Sequence, residues 1–391
     1  MAETRSNRWI ATVALAAAPL AVLGIVVYAM VSGGPSAIFR TNLPPVEKLH
    51  VMRHSLAPDV MRLDVVNAGP DPSTIAQVIV RGAFWTHEVH PSRTLEPLDT
   101  ARVTIPFPWN DGEPVEIALL TSTGLTFPYT IEVASRTPVA DLGALGRFAL
   151  LGIYVGVIPV GLGITWYPFL RRLGPTALGF LLSLTVGLLA FLVVDAVGDG
   201  LEAADRLPAA YHGRALLVLG LVGAYLVLLG VESRARERRS ALHSGAFLAW
   251  LVALGIGLHN LGEGLAIGSS YVLGELTLGA LLVVGFTVHN ATEGIAIISP
   301  ILHEGARPGR LVGLGALAGA PTILGCWIGA FTYSQVWALV FLGVGAGAIV
   351  QVIGAILGRS PLATTLAPVN LLGLFAGYVL MYGTGLLVGA A

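Results

Sequence analysis

Two short stretches hold the residues best placed to do chemistry. LHNLGEGLAIG covers 258–268 and VHNATEGIAII covers 288–298. Each sets His-Asn-x-x-Glu-Gly in apolar surroundings. Residues at i and i+4 share a helical face, so His259 and Glu263 point one way, as do His289 and Glu293. Asn260 and Asn290 lie about 100° round from each histidine. The connector YVLGELT is short, which makes the two helices antiparallel neighbours. Facing each other, they gather two imidazoles, two carboxylates and two amide oxygens around one point.

The chemistry follows from the solvent. An ionisable group at the centre of a bilayer costs at least about 2.5–3.5 kcal/mol, so paired glutamates there need compensation. A divalent cation supplies it. Imidazole nitrogen and carboxylate oxygen suit Zn²⁺, and also Fe²⁺ or Mn²⁺. For one His-x-x-x-Glu, an internal hydrogen-bonded pair or a proton relay competes with this reading. Repetition, with the same asparagine and the same following glycine, favours the metal. Gly264 and Gly294 permit close helix approach, or a kink that frees backbone carbonyls as further ligands.

Other polar residues in apolar segments are weighed against ordinary packing. In FLVVDAVGDGLEAAD, Asp195, Asp199 and Glu202 fall on one helical face. Asp195, the deepest, completes the site or lines its approach, whereas Glu202 and Asp205 read as solvated helix end. Gln351 reads as helix-packing glue, and the His303-Glu304 pair as solvated loop. His87 and His90, spaced by three, point to opposite faces of a strand. With His50 and His54 they read as surface polar residues rather than as a metal trap.

The elements that must position these residues belong to a mainly α membrane protein. Hydrophobic residues make up 55% of the 391 and charged residues 12%, against about 25% charged in soluble domains. The mean hydropathy is +0.78. Residues 1–35 read as an uncleaved N-terminal signal anchor, because the apolar run 9–31 exceeds the h-region of a secretory signal. Residues 36–137 hold short alternating runs (MRLDVVN, TARVTIPF, VEIALLT) punctuated by NAGPDPS and PWNDGEP. They predict a small all-β sandwich of immunoglobulin-like type. Residues 138–391 supply eight spans, at about 143–169, 175–200, 213–231, 242–268, 275–300, 311–333, 336–357 and 366–389.

Arginine placement orients the chain. Arg171, Arg172, Arg234, Arg236, Arg238, Arg239, Arg307, Arg310 and Arg359 fall on one side if every span crosses once. The positive-inside rule makes that side cytoplasmic, with the N-terminus. The β domain and the C-terminus then lie outside the plasma membrane. A net charge of -1 gives no sign of a nucleic-acid partner, and the single cysteine, Cys326, reads as packing. Partners are the bilayer and a divalent metal ion. A homodimer and an extracytoplasmic partner for the β domain are left open.

HNLGEG (259–264) and HNATEG (289–294), on consecutive helices, resemble the paired motifs of the ZIP family of divalent metal transporters. The resemblance covers about 143–391. It implies an eight-helix bundle with a transport site on the fourth and fifth helices, held by His259, Asn260, Glu263, His289, Asn290 and Glu293. It implies movement of zinc, iron or manganese into the cytoplasm without ATP, by alternating access, with one helix bundle sliding against another. Three features depart from the family pattern. Thr292 replaces a frequent proline. AGAPTILG (318–325) lacks the acid that helps hold a second metal, which points to one ion. The linker ESRARERRSALHSG is basic rather than histidine-rich.

The expected function is secondary transport of Zn²⁺, or of Fe²⁺ or Mn²⁺, as substrate, with no resident cofactor. The alternatives are an intramembrane metalloenzyme and a metal-sensing membrane protein. An enzyme is not expected, since the spacing is not His-Glu-x-x-His and no further carboxylate stands apart as a base.

Overall fold

The structure is a computed structural model that describes residues 15, 17–28, 44–237, 245–272, 276–302, 304–332, 334–358 and 366–389. Helix α1 (Ala17–Tyr28) is apolar and exposed on every face. A β domain follows. Its strands are β1 (Leu49–Ala57), β2 (Val60–Asn67), β3 (Ser73–Val80), β4 (Ala83–Trp85), β5 (Glu88–His90), β6 (Thr94–Leu95), β7 (Thr100–Ile105), β8 (Val115–Thr121) and β9 (Thr126–Ile131).

One sheet has the order β1-β2-β7-β5 and the other β4-β3-β8-β9, all antiparallel, with β6 beside β3. With β4 set aside, this is the ABED and CFG arrangement of a constant-type immunoglobulin sandwich. Alternation dictates it. Met61, Leu63 and Val65 of β2 face inward, as do Val103 and Ile105 of β7 and Val115, Ile117 and Leu119 of β8. Polar residues between them face out.

Past β9 the chain stays bound to the sandwich as far as Thr137. The Thr137 hydroxyl accepts from the amide of Leu56, and the Thr137 amide donates to the Leu56 carbonyl. Four residues later Asp141 caps α2 (Leu142–Gly152), its carboxylate accepting from the amide of Ala144 at 2.6 Å.

The helical part continues through a π-helical turn, Ile153–Val157, into α3 (Ile158–Ile164) and α4 (Tyr167–Leu170). Then come α5 (Pro175–Arg206), α6 (Gly213–Glu237), α7 (Gly245–Val272), α8 (Leu276–Ile298), α9 (Pro308–Gly319), α10 (Pro321–Thr332), α11 (Gln335–Leu357) and α12 (Pro368–Gly389). Among the described residues, seven stretches are long and apolar enough to cross a membrane: 142–170, 175–206, 209–234, 245–272, 282–301, 308–332 and 335–357. Ala17–Tyr28 and Pro368–Gly383 are apolar but shorter. The protein is a membrane helical bundle with a β domain on its N-terminal side.

The helices sort into two closely packed groups. In the first, α7 lies against α8, α9 and α10, α2 against α10, and α3 against α8 and α9. In the second, α5 packs on α6, α11 and α12, and α6 on α11; the two groups meet along an extensive seam of α7 with α11 and a smaller one of α8 with α12. Glycines let backbones touch inside each group. A Cβ on Gly264 would lie 2.2 Å from the Thr322 carbonyl oxygen of α10, and one on Gly294 2.3 Å from that of Val160 in α3. In the second group, a Cβ on Gly187 would lie 2.0 Å from the Leu374 carbonyl, and one on Gly347 2.0 Å from that of Leu221. Close approach is thus what Gly264 and Gly294 provide. The kink is not seen, since α7 and α8 run unbroken past them.

Candidate metal site

Helices α7 and α8 are antiparallel neighbours, and all six motif residues are buried. His259, His289 and Glu293 each offer a donor atom, and these atoms lie within 4.8 Å of one another. Glu263 faces both imidazoles. Its Oε1 is 2.5 Å from Nε2 of His289 and 3.3 Å from Nε2 of His259. The ring of Phe286, one turn before His289, packs against that imidazole with centroids 5.3 Å apart.

The asparagines act crosswise. Asn260 of α7 donates through Nδ2 to Oε2 of Glu293 on α8, at 3.1 Å. Asn290 of α8 donates to Oε2 of Glu263 on α7, also at 3.1 Å. Each amide group also donates to a backbone carbonyl of a third element: Asn260 to Ala318 at 3.2 Å, and Asn290 to Val155 at 3.1 Å.

Both carbonyls lie at irregular points of their helices. Val155 is in the π-helical turn, four residues before Pro159, which has no amide to donate. Ala318 lies in the last turn of α9, where carbonyls lack helical donors, and Pro321 opens α10 just beyond it. Sequence reasoning missed these anchors. The available signal was two prolines inside apolar spans, Pro159 and Pro321.

Three buried acceptor oxygens of the motif residues keep no partner: Oδ1 of Asn260, Oδ1 of Asn290 and Oε1 of Glu293. Buried polar atoms are normally satisfied, and an unmet acceptor needs a reason. A cation is the partner that acceptors and imidazole nitrogens share.

Asp195 stands apart from the three converging donors. With Asp199, His259, Glu263, Phe286 and Phe341 it lines a small cavity leading to them. Of the two roles weighed for Asp195, the approach is the one its placement favours. Glu202 and Asp205 at the helix end are exposed and paired with Arg206 and Arg214.

Two glutamates behave differently from their sequence reading. Glu232 is buried, and Gln351 donates to its Oε2 at 2.7 Å, so the glue of α11 binds to a carboxylate assigned to the linker. Glu304 is not a merely solvated loop residue. Its carboxylate accepts from the amides of Gly245 and Ala246 and caps α7. His303 lies outside the described residues. His50, His54, His87 and His90 form no metal-holding group among the described residues. His87 Nδ1 instead meets the Trp85 carbonyl at 3.2 Å, and His54 Nδ1 the Tyr129 hydroxyl at 2.8 Å.

The chain matches no family model and no curated protein.

Proposed function

We propose that this protein is a secondary transporter of a divalent cation, Zn²⁺ foremost and Fe²⁺ or Mn²⁺ next. It carries the ion toward the cytoplasm through a site built by His259, His289, Glu263 and Glu293. The single observation behind this reading is the convergence of His259, His289 and Glu293 within 4.8 Å in an apolar bundle. A mixed nitrogen and oxygen site binds without the tenacity of a four-thiolate site, so the ion can also leave. The paired motif's likeness to the ZIP family supports the same conclusion.

The two helix groups support alternating access. The site rides on α7 and α8 of the first group. Its facing wall, with Asp195, Asp199, Phe341 and Gly345, belongs to α5 and α11 of the second. Sliding one group past the other exposes the site to each side in turn, while glycine-locked contacts keep each group whole. The arginine placement supports nine spans, with α1 as an anchor, the N-terminus inside the cell and the β domain and C-terminus outside.

The test is uptake of radioactive zinc by vesicles holding the purified protein. Glu263→Gln and His289→Ala abolish uptake while each variant remains monodisperse in detergent. Wild-type rates in both variants remove these residues from the pathway, and with them the reading.

A further inference from the structure

The β domain is joined by sequence to one helix group but rests on the other. Met52 of β1 packs with Leu207, Leu217 and Leu339, at the ends of α5, α6 and α11. His50 turns toward Gln335 in the first turn of α11. Nε2 of the first and Oε1 of the second are both closed off from solvent, with no other partner. The crevice between the two parts is lined on the bundle side by Ala203 and Arg206 of α5 and by Gln335 and Ala338 of α11. All of these belong to the second group.

The covalent path runs elsewhere. Thr137 is the last residue pinned to the sandwich, and Asp141 already caps α2, which packs on α10 of the first group. Only residues 138–141 lie between Thr137 and the first residue of α2. A strap of four residues spans at most about 14 Å when fully extended. It is not extended here, because the Asp141 amide donates to the Val139 carbonyl at 2.8 Å in a tight turn. Val139 is 68% exposed, so little packing opposes its straightening.

We propose that the β domain is a travel stop: it stays docked on α5, α6 and α11, and the short strap 138–141 limits how far α2 and the site-bearing helices can slide. This rests on the transport reading above, to which it adds the bound on the stroke. The slack in the turn at Val139 sets that bound. The sandwich itself stays put during the cycle, and the strap changes shape.

Two measurements test it in the full-length chain, with Cys326→Ser as background. The first joins His50→Cys to Gln335→Cys with a short bifunctional thiol reagent. Cross-linking is expected at high yield, with zinc uptake unchanged. Failure to cross-link, or loss of uptake on cross-linking, overturns the docking. The second varies the strap. Deleting Val139 and Ala140 lowers uptake at least about fivefold with zinc binding retained, and inserting Gly-Ser-Gly-Ser after Val139 leaves uptake at or above wild type. Wild-type uptake by the shortened chain overturns the stop. If that deletion loses zinc binding, the comparison passes to deletion or insertion of one residue at Val139, and equal uptake by the two sinks the proposal. Cross-linking needs no transport, so absence of uptake in the wild type counts against the transport reading alone.

Discussion

Asn260 holds the carboxylate of Glu293 from the opposite helix, at 3.1 Å, and holds Ala318 with its other N–H. It therefore ties α7, α8 and α9 together at one side chain. A group that orients a ligand in this way is worth about 10–100-fold in metal affinity. Asn260→Ala and Asn290→Ala are each expected to weaken zinc binding by that order, read by equilibrium dialysis of purified protein. Unchanged affinity in both would falsify the orienting role.

Gly345 of the second helix group lies against the backbone of His259. A Cβ there would lie 3.0 Å from Cα of His259, tighter than ordinary contact. Gly345→Val brings two further methyl groups into that seam and forces α11 and α7 apart. Overpacking of this kind costs about 1–3 kcal/mol. The expected result is a lower thermal midpoint together with zinc uptake reduced about tenfold or more. Wild-type uptake in the valine variant would show that the seam has room.

His54 gives the β domain a pH dependence. Burial holds its imidazole down at about 4, helped by the nearby Arg53 guanidinium. The folded value lies below the ordinary 6.5, so the folded domain favours the neutral ring. Its contribution is whole above pH 6.5 and is lost as pH falls from there to about 4. The difference is on the order of 3 kcal/mol. Denaturant unfolding of the full chain, followed through Trp85 and Trp109 with the other tryptophans replaced, measures it. Between pH 7 and pH 4 the wild type loses stability of that order, and His54→Phe loses much less. Parallel losses in the two chains would assign the acid sensitivity to other groups.

The motif helices were legible because their information is local. His259 and Glu263, like His289 and Glu293, are related by helical period alone, and an apolar setting makes four such residues costly unless they meet. The sandwich was legible for the same reason, from two-residue alternation in strands such as β7 and β8. Glu232 was not. Beside four arginines it resembles a solvated linker residue, and only the packing of α6 on α11 brings Gln351 to it. Glu304 was lost in the same way, because its partner is a helix start nearly sixty positions earlier in the chain. The asparagines were read as ligands or orienters, and the choice needed the carbonyls of Val155 and Ala318, which only the packing of helices remote in sequence brings to them.

The crosswise amides bind the fates of the two motif copies. Exchanging Asn290 alone leaves its own helix intact and unsettles Glu263 on the other, so damage appears one helix away from its cause. A working variant with altered metal preference has to be rewritten in both copies at once, as a matched pair.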